Sequence, residues 1–297
     1  MELEKSVRQS DAVTSTSFQD RLLAGLYGHA AGRLLLRPLV SPRFSRAGGY
    51  LLGSRLSALA VKPFARVNHI SLSDCRKQSF SSFNDFFTRE LVPEARPVCQ
   101  EKDAWISPCD ARMSVWPVTL EGRFRIKQTE YTMESLLRNE KLARRYLDGT
   151  LWLYRLCVDD YHRYIYPESG VKSENIHIPG IFHTVNPVAN DQYPIYKENT
   201  REYCLIQTEH FGTVLMMEVG AMLVGKIENR HPDRRRVERG QEKGNFAFGG
   251  STIVLLTQKG CVTPDEIFVE NTVHGLETKV KMGQRVGCAV QGKDEAL

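Results

Sequence analysis

The sequence predicts an α+β protein, with N-terminal amphipathic helices followed by a mainly antiparallel, β-rich domain. Two observations carry that expectation. Leucines recur at helical intervals between residues 18 and 67, mixed with arginine and lysine. Beyond Trp105 the apolar runs shrink to strand length, as in GTLWLYRLCV, CLIQTE, GTVLMMEVGAMLVGKI, STIVLLTQ and EIFVE, and glycines, prolines and charges separate them.

Taken in order, residues 1–17 are polar, without the apolar core of a secretory signal, and are expected to be disordered. In DRLLAGLYGHAAGRLLLRPLV, Leu22, Leu26 and Leu34 fall on one helical spacing with Arg21, Arg33 and Arg37 between them. Asp20 suits an N-cap there and Pro38 a stop. A second piece, YLLGSRLSALAVKPFARV, repeats the mixture. Such helices either lie on anionic lipid or cap the core behind them; amphipathicity alone does not choose. SFNDFFTRELVPEARPV ends in a proline-punctuated loop, and SLLRNEKLARRYLDG is the clear helical period among the strands. GLETKVKMGQRVG resembles the paired glycine turns of a biotinyl/lipoyl carrier sandwich, without that fold's Met-Lys-Met attachment site. The expected division is a helical, membrane-associating region at 1–75 and a β-rich catalytic domain at 76–297.

Across 297 residues, 40 Lys and Arg face 35 Asp and Glu, a net charge of +5. That mild excess favours an anionic partner, and a lipid surface fits as well as nucleic acid does. No uncharged apolar run approaches the ~20 residues of a spanning helix, so membrane contact is expected to be peripheral, on the cytoplasmic face. Seven cysteines show no C-x-x-C pair, which points to reduced thiols in place of a disulfide frame or a metal site.

The chemistry is concentrated in EKGNFAFGGSTIVLL. Gly249 and Gly250 give backbone freedom just before Ser251, and an apolar strand starts at Ile253. A serine there can attack the carbonyl of Gly250 and form an ester by N-to-O acyl shift. Elimination leaves dehydroalanine, which hydrolyses to a pyruvoyl group. Alone, G-G-S-T is an ordinary turn before a strand.

Its surroundings distinguish it. The segment resembles the processing site of phosphatidylserine decarboxylases, and further elements follow that family's order over roughly residues 80–290. FNDFFTREL with ARPV, SPCDARM, DDYHRYIYP, HTVNP and REYCLIQTEHFGTVLMMEVGAMLVGKI each resemble one of its motifs. Three positions depart from it: Gly249 replaces a frequent leucine, Ala111 a usual glycine, and Ile165 the second of two histidines found in well-known bacterial members.

The resemblance implies self-cleavage between Gly250 and Ser251 into a large chain, 1–250, and a small chain, 251–297, that stay together. Ser251 becomes the covalent pyruvoyl cofactor, and no metal is required. Asp110 is the expected orienting carboxylate by its match to the family's aspartate, though an aspartate after Ser-Pro also caps turns. His162 is the expected base, with a structural histidine as the alternative; because Ile165 replaces the second histidine, His183 stays open as a substitute base. The mature site is expected to take up an amine and draw in the electron pair released with CO2, as pyridoxal phosphate does, with His162 returning a proton. The implied reaction is phosphatidylserine to phosphatidylethanolamine, by a homodimer on an anionic membrane surface, with no nucleic-acid partner. Arg89 and Arg163 serve either the substrate's anionic groups or ion pairs. The charged stretch 231–244 reads as a solvated loop. A pyruvoyl-dependent decarboxylase of free amino acids, a non-catalytic β-rich binding module and a serine hydrolase are the alternatives; the last lacks a G-x-S-x-G elbow.

Overall fold

The computed structural model describes residues 12–13, 48–126, 129–181, 183, 194–221, 226–247 and 251–290. The first leucine-rich segment, at 20–38, lies outside the described residues. The second lies mostly within them and is not one helix. Residues 48–52 are helical, Ser54 is extended with its hydroxyl on the carbonyl of Leu51, and a 3₁₀ turn spans Arg55–Ala60. Helix α1 (Val61–Val67) follows, then α2 (Phe83–Phe87), which Ser82 caps through the amide of Asp85. Serine competes for backbone groups with its own side chain, which explains a break at Ser54 inside a helical period.

Strands are numbered in chain order. The large sheet contains β1 (Ala12–Val13), β3 (Ala111–Pro117), β6 (Thr150–Leu156), β8 (Gly170–Lys172) and β9 (Ile176–Ile178). It also contains β10 (Arg201–Thr208), β11 (Thr213–Val219), β13 (Arg235–Val237), β15 (Ser251–Thr257) and β17 (Glu277–Val280). Their order is β1-β17-β3-β6-β15-β11-β10-β8-β13, with β9 also on β10. A second sheet runs β12 (Ile227–Asn229), β14 (Glu242–Phe246), β7 (Arg163–Ile165). A third runs β16 (Val262–Pro264), β18 (Arg285–Ala289), β2 (Ala104–Ile106), and β4 (Arg123–Ile126) pairs with β5 (Thr129–Thr132). The ladders are antiparallel, as expected from the short, turn-separated runs. β1 is a difference: Ala12 and Val13 pair with Thr278 and Glu277, so that part of the polar N-terminal stretch is strand.

The large sheet is a middle layer. On one face Leu153, Val254, Leu256, Met217 and Val219 pack against α3 (Met133–Leu137), α4 (Glu140–Ala143), α5 (Ile195–Glu198) and the β4–β5 hairpin. The other face, with Tyr154, Leu156, Ile253, Leu255 and Met216, is covered by Tyr164 and Phe246 of the second sheet and by Trp105, Val262 and Val286 of the third. Helix α6 (Glu266–Val273) adds Phe268 to that cluster. Each large side chain buried this way contributes about 1.5–3 kcal/mol. The helical period at 135–149 is present but broken: Arg138 turns left-handed at φ 50° and Asn139 starts α4 with a new cap.

β17 and β18, from the carrier-like segment, join different sheets, the large one through β3 and the third through β2. Gly283 turns between them at φ +83°, where a Cβ would sit 2.7 Å from the carbonyl oxygen of Pro97.

Candidate active site

β15 lies at the centre of the large sheet and is buried at every residue. Ser251–Thr257 pairs with β6 from Leu156 to Thr150, and Thr252–Leu256 pairs with β11 from Val219 to Leu215. A continuous apolar run is what a strand covered on both faces requires. Ser251 opens it, fully buried, and its hydroxyl has no hydrogen-bond partner among the described residues. An orphaned buried hydroxyl costs about 1–3 kcal/mol, so the fold keeps a polar atom here that packing does not use. Gly249 and Gly250 lie outside the described residues.

Two connections bring His162 to the same end of the sheet. Leu156 faces Ser251 across the ladder, and the chain reaches His162 six residues later. Five residues before Ser251, the amide of Phe246 donates to the carbonyl of His162 at 2.9 Å. The imidazole is fully buried and lies 4.0 Å from the ring of Phe87 on α2. Its Nδ1 is 2.9 Å from the backbone carbonyl of Asp160. A carbonyl only accepts, so Nδ1 carries the hydrogen and Nε2 holds the basic lone pair of the neutral ring.

Asp110 precedes β3. Since Arg112 faces Arg155 and Arg155 faces Thr252, it stands two strands from Ser251 at the same sheet end, roughly 10 Å away at ordinary strand spacing. Its carboxylate accepts from Arg96 Nε at 2.7 Å, from Arg96 Nη2, and from the amide of Met282 at 2.9 Å. These partners are a guanidinium and an amide, not an imidazole. Arg96 and Met282 also line a pocket of about 400 Å³ together with Tyr161, Arg163 and Ile165. Ile165 packs there with Ala104, Ile106 and Met282, so position 165 is apolar in this chain.

His183 is held by Asn199, whose side chain accepts from the His183 amide at 2.9 Å and donates to the carbonyl of Gly220 at 2.8 Å. Its Nε2 lies 3.5 Å from Glu198 on α5, whose Ile195 and Tyr196 pack on the sheet face opposite Ile253. Burial pushes the His183 imidazole below its usual range.

Of the two arginines open to a substrate role, Arg163 is committed. It pairs with Glu242 at 2.8 Å and Glu90 at 3.2 Å, and donates to the carbonyls of Thr88 and Arg89. Arg89 is buried, its guanidinium 4.9 Å from the Phe86 ring and 5.9 Å from that of Tyr161. Desolvation holds its pKa below the usual value.

Asp160 accepts the amide of Cys157 at 2.7 Å in the turn between β6 and His162. Burial pushes its carboxyl up to about 6, with Asp159 and Asp110 adding to the rise. The folded pKa lies above the unfolded one, so the native state takes up a proton and stability falls as pH rises from about 4 to about 6. Asp160→Asn removes that slope. Relative to wild type, it should gain about 2–3 kcal/mol between pH 4 and pH 7 in urea unfolding; parallel pH profiles would refute this.

The charged stretch 231–244 is not uniformly solvated. Lys243 is buried and pairs at 2.7 Å with Glu218 of β11, which is also fully buried. The available sequence signal was a lone glutamate inside the apolar run LMMEV, where an unpaired charge is too costly to bury.

Comparison with known proteins follows the same residues. A family model described as phosphatidylserine decarboxylase matches residues 83–288. The chain is 40% identical over 271 residues to phosphatidylserine decarboxylase proenzyme 2 of Clostridium acetobutylicum, covering 91% of this chain and 92% of that protein. It is 40% identical over 272 residues to the phosphatidylserine decarboxylase proenzyme of Ruminiclostridium cellulolyticum, covering 90% and 91%. For the proenzyme of Clostridium novyi the identity is 36% over 273 residues, covering 90% and 92%.

Proposed function

The chain belongs to the phosphatidylserine decarboxylase family, and on that premise we propose that it cuts itself before Ser251 and then converts phosphatidylserine to phosphatidylethanolamine and CO2. The observation that carries this reading is the buried hydroxyl of Ser251 at the mouth of the central strand, without a hydrogen-bond partner among the described residues. A pyruvoyl group made from Ser251 fits there, because β6 and β11 hold the strand along its length after a cut. When formed, that group supplies an electron sink for decarboxylation.

The remaining roles fall to side chains already placed. His162 can take up a proton at Nε2, forming the imidazolium, and deliver it to the substrate's α-carbon, oriented by its Nδ1 bond to Asp160 and by Phe87. Asp110, clamped by Arg96 and Met282, sets a fixed negative charge at the same sheet end. Charge placed in advance does not have to reorganise during reaction, which favours such rigid seating.

A lipid substrate accounts for the N-terminal surface. Val61 and Ala65 of α1 pack against Phe83, Phe86 and Phe87, so the segment does cap a core. It also leaves Tyr50, Leu51, Leu56, Leu59 and Val67 exposed, Leu56 and Leu59 at 79% each, beside exposed Arg55, Lys62 and Arg66. Apolar tips ringed by cations suit an anionic bilayer, and Phe87 ties this module to His162. Among the described residues no helix is long and apolar enough to cross a membrane. Peripheral binding at the cytoplasmic face is the arrangement we propose.

The test is turnover on phosphatidylserine vesicles against free serine. Release of CO2 from vesicles alone is expected; turnover of free serine alone would favour the soluble amino-acid decarboxylase. Leu56→Asp/Leu59→Asp should weaken vesicle binding tenfold or more, since each leucine buried in lipid contributes about 1.5–3 kcal/mol. Unchanged flotation with vesicles would refute the lipid-facing role.

A further inference from the structure

Glu218 and Lys243 form a fully buried ion pair on the face of the large sheet that carries Ser251. Glu218 faces Ile253 across the β11–β15 ladder, and Ile253 shares a face with Ser251 because strand side chains alternate. In the same register Gly220 falls opposite Ser251, which makes Glu218 its diagonal cross-strand neighbour. Such neighbours stand ≈ 7–8 Å apart, within reach of a long side chain. Lys243 Nζ and Asn229 Nδ2 both bind Glu218 Oε2, at 2.7 and 3.1 Å. The other oxygen, Oε1, is buried and has no hydrogen-bond partner among the described residues, as is the case for Ser251 Oγ. Two buried polar atoms without a described partner, one acidic and one hydroxylic, therefore sit diagonally across one ladder.

Resting on the self-cleavage reading above, we propose that Glu218 is the proton acceptor that activates Ser251 for chain cleavage. Ser251 Oγ–H gives its proton to the Glu218 carboxylate, and Oγ bonds to the carbonyl carbon of Gly250. The Gly250–Ser251 carbon–nitrogen bond breaks, and the departing amine takes the proton from Glu218. The ester replaces the amide with no net change in charge. Position 165 supplies no base in this chain, and the sheet itself supplies one.

The surroundings keep Glu218 responsive to pH. Its charge is felt by Glu202 and Cys204 on β10, Lys243 on β14, Tyr164 on β7, Tyr166 just beyond that strand and Lys172 on β8. Glu202 is its direct cross-strand partner and opposes its ionisation, while Lys243 favours it. Burial is the largest influence and raises its pKa.

The experiment follows cleavage of the full chain after cell-free synthesis, by the appearance of fragments 1–250 and 251–297. Glu218→Gln should slow it at least 100-fold, the lower range for a general base. That variant strands a buried ammonium, so Glu218→Gln/Lys243→Met removes both charges and is checked for cooperative thermal unfolding. A folded double variant that stays uncut, and that hydroxylamine does not split at Ser251, supports the proposal because no ester has formed. Cleavage of the double variant at the wild-type rate, or its splitting by hydroxylamine, overturns it. Lys243→Met keeps the acceptor but removes the cation that favours its ionised form. Its cleavage should shift to higher pH than wild type, and an unshifted profile also overturns the proposal. Wild type remaining in one piece would instead defeat the self-cleavage reading, a distinct result.

Discussion

Ser251→Ala should yield a single uncut chain with no decarboxylase activity and no loss of stability. The three parts of this result belong together. The Ser251 hydroxyl is fully buried and makes no hydrogen bond among the described residues. Removing an unsatisfied buried hydroxyl returns its desolvation cost, so the alanine variant should be as stable as the uncut serine chain or more so, by up to about 1–3 kcal/mol. The ladder partners of β15 on β6 and β11 are backbone pairs that the substitution leaves in place. Failure to cut therefore cannot be ascribed to failure to fold. Intact mass separates one chain from two, and thermal unfolding on the same sample checks the fold. Two fragments from the alanine variant, with the smaller beginning at residue 251, would end the assignment of Ser251.

Much of this site was legible because its signals are local. The apolar run after Ser251 announced a strand from Ile253, and the structure starts that strand at Ser251 and places it in the middle of the sheet. Ser82, which caps α2 through the amide of Asp85, is an equally local feature that the sequence reading passed over. What could not be read depends on pairing between distant segments. Nothing near Asp110 announces Arg96 and Met282 as its partners, since one of them arrives from 172 residues away. Glu218 and Lys243 looked like one charge in an apolar run and one in a basic loop. Only the packing of β14 over β11 makes them a pair. The break at Ser54 was hidden for another reason: leucine periodicity continues through it, while the serine hydroxyl takes the carbonyl of Leu51.

The second large effect is expected at His162, and the choice of replacement decides what is learned. Asparagine can keep a donor near Nδ1 and hence the bond to the Asp160 carbonyl, but it has nothing at the place of Nε2. In His162→Asn the proton for the substrate's α-carbon has no carrier, and turnover on phosphatidylserine should fall by about 10²–10⁴. Chain cleavage should continue, because that step is assigned to Glu218, and the two activities separate in one variant. Glutamine reaches further, toward the Nε2 position, yet its amide is neither acid nor base near neutral pH, so it should fare no better. The ring also packs 4.0 Å from Phe87, and losing it leaves space at the joint between α2 and the sheets. Phe87→Leu is the control for that loosening: it disturbs the packing and spares the imidazole, and should cost far less turnover than His162→Asn. If His162→Asn retains near-wild-type turnover, Nε2 is not the proton carrier. If it abolishes cleavage as well, one histidine serves both steps and the division of labour between His162 and Glu218 fails.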